Sequence, residues 1–148
     1  MNLVVKFDGL KNFRRKLVMA FGSDVKNINA TELMNDVTRS SGSRLLAKVQ
    51  KRTPVDTGQL RQNWTKSEVT KKGVVHTITI KNPVEYASYV EYGHRQQVGR
   101  YVPAIDKKLV KPWIEGQHFV EKSRIEMENE IPDIVEEKLI KKLVEITK

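Results

Sequence analysis

Three acidic residues in the middle of the chain are the best candidates for catalytic chemistry. They are Asp56, Glu85 and Glu91. Carboxylates that converge on divalent metal ions can cleave phosphodiester bonds by two-metal catalysis, so a cluster of these three side chains would indicate a small metal-dependent nuclease. The sequence does not show whether they converge, and structural roles are several times more common for such residues. A nuclease is therefore the third of our three functional hypotheses.

No other pattern in the sequence indicates catalysis or metal binding. Cysteine is absent, which excludes disulfides, thiolate metal sites and thiol catalysis and fits assembly in a reducing cytoplasm. There is no glycine-rich phosphate loop, no G-x-S-x-G and no H-E-x-x-H. His76, His94 and His118 are far apart and lack the spacing of metal ligands. We therefore predict no catalytic residue, no cofactor and no metal site.

The charge of the chain is unevenly distributed. The net charge is +9, and residues 1–66 contain 13 Lys and Arg against 5 Asp and Glu, whereas residues 114–148 contain 6 against 9. A basic face could attract nucleic acid. Alternatively, opposite poles could dock like subunits head to tail, or meet a differently charged partner. No zinc finger, basic zipper or RNA-binding aromatic motif is present, so specific recognition of bases is not expected.

The length of the chain predicts one domain over residues 1–148. No apolar run is long enough for a transmembrane helix, and the N-terminal residues lack the pattern of a signal peptide, so we expect no association with a membrane. Residues 3–7 predict a strand, and the apolar spacing from Leu10 to Phe21 predicts an amphipathic helix.

A long helix is predicted over residues 32–52, where apolar residues recur every four positions. Asn29 and Glu32 have capping-box spacing at its start. Its centre, residues 40–43, contains three serines and Gly42, which are weak helix formers. These small residues either let another element approach closely or mark a break in the helix, and the sequence does not favour one interpretation.

Residues 52–61 are rich in turn-forming and capping residues. Pro54 should end the long helix near Arg52, because it lacks an N–H and disfavours a helical conformation at the residue before it. Asp56 and Thr57 can hydrogen-bond their own backbone, and Gly58 can take a positive φ. From these residues alone, the segment is a structural corner.

A β-hairpin is predicted after the corner, with strands over 63–70 and 74–80 around a turn at 71–73. Trp64 is its largest apolar anchor, and His76 shares a face with apolar residues, which predicts a packed histidine. Residues 84–93 should form a short helix that begins after Asn82-Pro83 and ends at Gly93. Its three tyrosines favour the core or an interface over stacking on bases.

Residues 94–117 show the least periodicity and predict an extended arm or loop hairpin. Such long segments usually have a function, and the apolar residues on this one predict a contact surface for another subunit. Residues 118–148 are predicted to be helical, with a break or kink at Ile131-Pro132.

Two segments taken together resemble a known family. Thr53-Pro54-Val55-Asp56-Thr57-Gly58-x-Leu60-Arg61 is followed at 86–93 by Tyr-Ala-x-Tyr-Val-Glu-x-Gly, and Phe119 then begins a C-terminal helix. This order and spacing resembles the tail-completion or neck proteins of long-tailed bacteriophages and prophages, also called head–tail joining or minor capsid proteins.

The resemblance implies a non-enzymatic α+β fold, in which a small antiparallel sheet curves around a long helix, with an N-terminal strand and helix and C-terminal helices. It implies a homo-oligomeric ring, commonly a hexamer, that caps the tail and meets the head-side connector, the tail terminator and the tail tube. The expected location is the neck of a virion or phage-tail-like particle assembled in the bacterial cytoplasm, with non-specific proximity to DNA.

The resemblance also assigns roles to residues. A fold-defining or ring-interface role falls on Thr53, Pro54, Asp56, Thr57, Gly58, Leu60, Arg61, Tyr86, Tyr89, Glu91 and Gly93. An interface role on the arm falls on Arg100, Tyr101, Ile105 and Trp113.

We further expect the two motif segments to form one corner of the fold. An ion pair there should join Glu91 or Asp56 to one of the arginines, for which Arg61, Arg95 and Arg100 are the candidates. The sequence thus leaves three hypotheses: a structural ring protein, a basic nucleic-acid-binding module, and a nuclease.

Overall fold

The computed structural model describes residues 1–7 and 28–146. The helix predicted from Leu10 to Phe21 lies outside these residues. The described helices are α1 (Ala30–Arg52), α2 (Gln59–Gln62), α3 (Ala87–Tyr92) and α4 (Phe119–Ile146), with a 3-10 turn at Pro103–Ile105. The strands are β1 (Asn2–Phe7), β2 (Thr65–Lys66), β3 (Thr70–Lys72), β4 (Val75–Lys81), β5 (Gly93–Arg95), β6 (Tyr101–Val102), β7 (Lys107–Lys108) and β8 (Trp113–Glu115).

Helix α1 forms as its sequence predicts and runs without a break. The Asn29 side chain accepts a hydrogen bond from the Glu32 backbone N–H at 3.2 Å and caps its first turn. Gly42 lies under the sheet, where a Cβ atom would stand 2.5 Å from the Cδ1 atom of Ile78. The small residues at 40–43 therefore allow a close approach between helix and sheet, and the interpretation as a helix break is wrong.

The main sheet is antiparallel and built around β4. Strand β1 pairs along one edge of β4, and β2 and β3 pair along the other. His76, Ile78 and Ile80 are buried on the face of β4 that packs against α1, in agreement with the predicted alternation.

The first strand of the predicted hairpin is split into two pieces, which corrects the continuous strand predicted over 63–70. At the split, the Ser67 side chain accepts the hydrogen bond of the Thr79 backbone N–H at 3.0 Å, in place of a carbonyl. The register shifts by one residue between β2 and β3, as in a bulge. The turn consequently lies after Lys72, at Gly73, which has a φ of +59°.

Helix α4 is continuous from Phe119 to Ile146, so of the break or kink predicted at Ile131-Pro132 the break is wrong. Met127, Ile134 and Leu139 are buried on both sides of the proline. Packing of these side chains along α1 offsets the cost of about 3 kcal/mol for a proline inside a helix, and the ring of Pro132 itself faces solvent.

The core lies between α1, the main sheet and α4. It includes Leu33, Val37, Leu45, Val49, Leu60, Trp64, Ile80, Phe119, Met127 and Ile134. The α+β class is as predicted. None of the helices in the described part of the chain is long and apolar enough to span a membrane.

Candidate functional site

Thr53 holds the corner of the fold together at the end of α1. Its hydroxyl donates to the Val49 carbonyl at 2.6 Å and accepts from the Trp64 Nε1 at 3.0 Å. Its carbonyl accepts from the Arg61 Nη2 at 2.9 Å. Because Thr53 is buried, these bonds fix the direction in which the chain leaves the helix.

The turn that follows Thr53 is exposed and carries one carboxylate. Gly58 has a φ of +83°, as its position in the motif predicts, and precedes α2. The Thr57 hydroxyl accepts from the Gln59 backbone N–H at 3.4 Å. Asp56 is exposed, and its side chain has neither an ion pair nor a hydrogen bond within residues 1–7 and 28–146.

The two motif segments lie side by side and enclose a groove, which we call the corner groove. It is open to solvent and has a volume of about 290 Å³. Its lining residues are Pro54, Val55, Asp56, Thr57, Gly58, Leu60, Tyr86, Val90 and Gln117. The expectation that the segments form one corner therefore agrees with the structure, while the interface role of the corner remains a prediction.

Glu91 does not make the predicted ion pair with an arginine. Its carboxylate is buried and accepts from the backbone N–H groups of Val120 at 2.9 Å and Glu121 at 3.0 Å. These N–H groups lie in the first turn of α4, where no intrahelical acceptor exists and the helix dipole favours a negative charge. Glu91 is therefore a cap for α4 that is supplied by α3.

One sequence signal could have indicated this role for Glu91. The residue before Phe119 is His118, which has a φ of +51° and is a poor N-cap, so α4 must find its acceptors elsewhere in the fold. The backbone N–H of His118 in turn donates to the Glu91 carbonyl at 3.1 Å. Side chain and backbone of Glu91 thus both bind the start of α4.

Two glycines allow the chain to cross itself beside this cap. Gly93 has a φ of +86°, and a Cβ atom there would collide with the Ile114 carbonyl oxygen. A Cβ atom at Gly116 would collide with the Glu91 carbonyl oxygen. Sequence reasoning included Gly93 through its motif and missed Gly116.

Residues 93–115, which we call the arm, form a two-part hairpin. Its base is the pairing of β5 with β8, and its outer part is the pairing of β6 with β7. Between them the Gly99 N–H and the Arg100 carbonyl both bond to Leu109, at 2.8 Å each, so two residues stand opposite one. Gly99 has a φ of +85°, as a bulge of this kind requires.

The residues that were assigned to an interface on the arm are exposed. The exposed fractions are 51% for Tyr101, 56% for Ile105 and 40% for Trp113, and Arg100 is exposed as well. The tyrosines of the second motif are also at the surface, with Tyr89 59% exposed. Of the two interpretations of these tyrosines, a place in the core is wrong.

The acidic residues considered for a nuclease are not gathered into a metal site. Within the described residues, no group of three His, Asp or Glu side chains is placed to hold a metal ion. The Glu91 carboxylate is occupied by α4, and Asp56 lies in the corner groove.

Part of the uneven charge is neutralised by ion pairs between α1 and α4. Lys48 of α1 lies 2.5 Å from Glu126 and 2.7 Å from Glu130 of α4, and Arg52 also pairs with Glu126. Arg44 lies 2.6 Å from Glu137. Hydrogen bonds from Lys48 and Arg52 lower the pKa of Glu126, and those from Glu126 and Glu130 raise the pKa of Lys48. These cations are therefore not free for nucleic acid.

A family model described as "Bacteriophage HK97-gp10, putative tail-component" matches residues 18–93, slightly more than half of the chain. The match spans α1, the corner, strands β2 to β4 of the main sheet and α3, and it includes both motif segments. It ends at the first residue of the arm. No curated protein and no solved structure matches the chain.

Proposed function

Because the chain belongs to the HK97-gp10-like family of bacteriophage tail components, we propose that it is a non-enzymatic structural protein of the neck. In this role it completes the tail of a phage, or of a phage-tail-like particle, and joins it to the head-side connector as an oligomeric ring. The match over both motif segments supports this proposal, since the same segments carry the resemblance to neck proteins.

The observation that carries the oligomeric part of the proposal is the amount of apolar surface left exposed. Tyr92 is 61% exposed, Val55 54%, Val98 57% and Val110 79%, in addition to Tyr89 and the tip of the arm. Solvated apolar side chains in such number, on two neighbouring features of one molecule, are typical of surfaces that another protein covers.

The proposed partners are further copies of the chain, a head-side connector, and the tail terminator and tail tube. We propose a hexamer on assembly, a location in the neck of the virion, and assembly in the bacterial cytoplasm. The chain acts as one domain over 1–148. The arm, expected over 94–117 and formed by residues 93–115, is the interface, and 118–148 is the C-terminal helical segment. The motif residues from Thr53 to Gly93 shape the ring interface.

Light scattering coupled to size exclusion tests this function, with the protein alone and with purified tail tube or terminator. A structural ring protein will give a mass that is a multiple of the subunit mass, alone or with the tail component. If the protein stays monomeric under every condition and binds no tail component, the proposal is wrong.

A nucleic-acid-binding module is the alternative, and one observation favours it. Lys51 is exposed and has no ion pair in the part of the chain that the structure describes, and the same holds for the cations of the arm. Non-specific DNA binding should weaken steeply with salt and should fall on charge reversal at Arg14, Arg15 and Lys51. Absent or salt-independent binding would exclude this function.

A further inference from the structure

The outer part of the arm exposes both charged and apolar side chains. Strands β6 and β7 contact mainly each other, and Ile105 at the tip is exposed. The arm also carries five exposed cations that have no ion pair within the described residues, and its one aspartate, Asp106, accepts from the Tyr101 hydroxyl. The five cations are Arg95, Arg100, Lys107, Lys108 and Lys111.

The corner groove carries negative charge, opposite to that of the arm, and its walls are apolar, like the tip of the arm. Val55, Leu60 and Val90 make its walls apolar. Asp56 lies in the groove, and Glu85 lines a depression that adjoins it through Tyr86. Both carboxylates are exposed, and neither forms an ion pair within the described parts of the chain.

The arm does not fill the groove of its own chain. The groove lies at the base of the arm, because its lining includes Gln117, two residues after β8. Ile105 lies at the other end of the hairpin, beyond the bulge at Gly99. An occupant of this chemistry must therefore come from another molecule.

We propose that the arm of one copy docks in the corner groove of the next copy. Ile105 then packs between the apolar walls, and Lys107 and Lys108 face Asp56 and Glu85. The volume of about 290 Å³ is near the lower limit of about 300 Å³ for pockets that bury a small ligand, which suits the side chains of a hairpin tip. This proposal rests on the oligomer of the proposed function.

The contact is directional, because the arm and the groove are different surfaces. Each copy offers one arm and one groove, so contacts passed from copy to copy produce a closed ring or an open filament. The groove is formed largely by segments within the family match, whereas the arm begins where the match ends. The groove thus lies largely in the region that matches the family model, whereas the arm lies outside that region.

Crosslinking of two single-cysteine variants tests the contact. Because the chain has no native cysteine, only the introduced thiols can react. Ile105→Cys and Val55→Cys are purified separately, mixed, and treated with a short bismaleimide under conditions in which the wild type self-associates. We expect a heterodimeric crosslink. The control replaces Val55→Cys with Ile140→Cys, which is equally exposed at 53% against 54% but lies on α4, and it should give at least about tenfold less product.

Charge exchange gives a second, independent measurement. Asp56→Lys should weaken self-association about tenfold, since it places like charges together at the contact. Combining it with Glu85→Lys, Lys107→Glu and Lys108→Glu in the same chain should restore most of that loss, because the charges on both sides of every contact in the ring are then reversed. A merely misfolded corner would not be rescued from a distant segment.

The outcomes separate the contact from the oligomer. If the wild type associates but the two cysteine pairs crosslink equally and the charge exchange does not rescue, the docking of the arm is wrong and the ring remains. If the wild type forms no oligomer, alone or with a tail component, both proposals are wrong.

Discussion

At the scale of single residues, the buried carboxylate of Glu91 shows how one side chain can join two elements. It accepts hydrogen bonds from two backbone N–H groups at the start of α4 that have no acceptor within the helix. These groups belong to residues 29 and 30 positions later in the chain. Hydrogen bonds to a charged group contribute more than neutral ones, typically about 1.5–3 kcal/mol. Glu91 is therefore expected to matter for stability more than any exposed acid of the molecule.

We predict that Glu91→Gln lowers the free energy of unfolding by about 1.5–3 kcal/mol. The amide keeps one acceptor oxygen, but it places an N–H₂ group against a backbone N–H and removes the charge that the helix terminus stabilises. Urea denaturation measures the change. Glu85→Gln is the matched control, since Glu85 is exposed on the preceding loop, and its effect should stay within about 0.5 kcal/mol. Equal effects of the two variants would contradict the capping role.

His76 is the second residue whose surroundings lead to a measurable effect. Its Nδ1 lies 2.8 Å from the Asn35 Oδ1, and its Nε2 is buried without a hydrogen-bond partner among the described residues. Burial, with a smaller contribution from Lys71, lowers the pKa of His76 below its ordinary value of 6.5. The imidazole is thus held neutral in the folded protein.

We predict that stability falls as the pH is lowered from about 6.5 towards the folded pKa of His76. In that window the unfolded state binds a proton that the folded state does not, so acid favours unfolding. Thermal unfolding followed from pH 7.5 to 5 measures the slope. His76→Gln, which keeps a polar group and does not titrate, should flatten this part of the curve. An unchanged slope in that variant would show that another group is responsible.

The capping residues and the motif residues illustrate what a sequence can and cannot reveal about individual positions. Asn29, Gly58 and Gly93 act through their own backbone neighbourhood, so local rules predict their conformations. Glu91 acts on a helix far along the chain, and local charge arguments assigned it to an arginine. Arg61 was one of three candidate arginines for an ion pair at the corner, but it binds the Thr53 carbonyl.

At the scale of elements, the crossing of α1 and β4 depends on the absence of a side chain at Gly42. A glycine inside a helix costs about 1 kcal/mol relative to alanine, so its presence indicates that space is needed there. The buried Ile78 occupies that space. This contact sets how closely the sheet lies on the long helix.

Gly42→Ala is predicted to destabilise the protein by about 1–3 kcal/mol, despite its better helix propensity. The added methyl group would overlap Ile78, whose neighbours in the core leave it little room to move. Pairing the change with Ile78→Val removes the nearest atom, Cδ1, and should recover part of the loss. Ser43→Ala, one position away and exposed, should be neutral or slightly stabilising. The measurement is the midpoint of thermal unfolding, and a stabilised Gly42→Ala variant would refute the tight contact.

Local signals predicted the boundaries of some helices better than those of others. The short helix predicted over 84–93 from the signal Asn82-Pro83 begins only at Ala87. The long helix was predicted over 32–52 and found over Ala30–Arg52, because its cap and Pro54 act locally. The proline within α4 led us to predict a break or kink. Its local cost is outweighed by the burial of α4 side chains along α1, which only the assembled fold shows. The strand split at Ser67 escaped prediction for the same reason, because the Ser67 hydroxyl accepts from a backbone N–H of another strand, that of Thr79 on β4.

At the scale of the whole molecule, the opposite charges of the two halves of the chain meet along the contact of α1 with α4. The sequence showed this polarity and left open whether it served nucleic acid, another subunit or a different partner. For Arg44, Lys48 and Arg52 the partner is the C-terminal helix of the same chain. Of the cations that have no ion pair in the described residues, five lie on the arm and others, such as Lys71 and Lys72, lie on the main sheet. The basic surface available to a partner is therefore found outside the contact of α1 with α4.

These ion pairs should make the packing of α4 on α1 sensitive to acid. Lys48 and Arg52 lower the pKa of Glu126 below its ordinary value of 4.5, so this carboxylate contributes stability above about pH 4.5 and loses it as the pH falls through the lowered pKa. We expect Glu126→Gln to be less stable than the wild type at pH 7, with the difference shrinking towards pH 3. Salt should reduce the difference at pH 7, since the pairs are partly exposed. Glu136 is an exposed acid of the same helix that has no ion pair among residues 1–7 and 28–146, so Glu136→Gln should follow the wild type throughout. A Glu126→Gln deficit that did not change with pH would mean that the side chain acts through packing rather than charge.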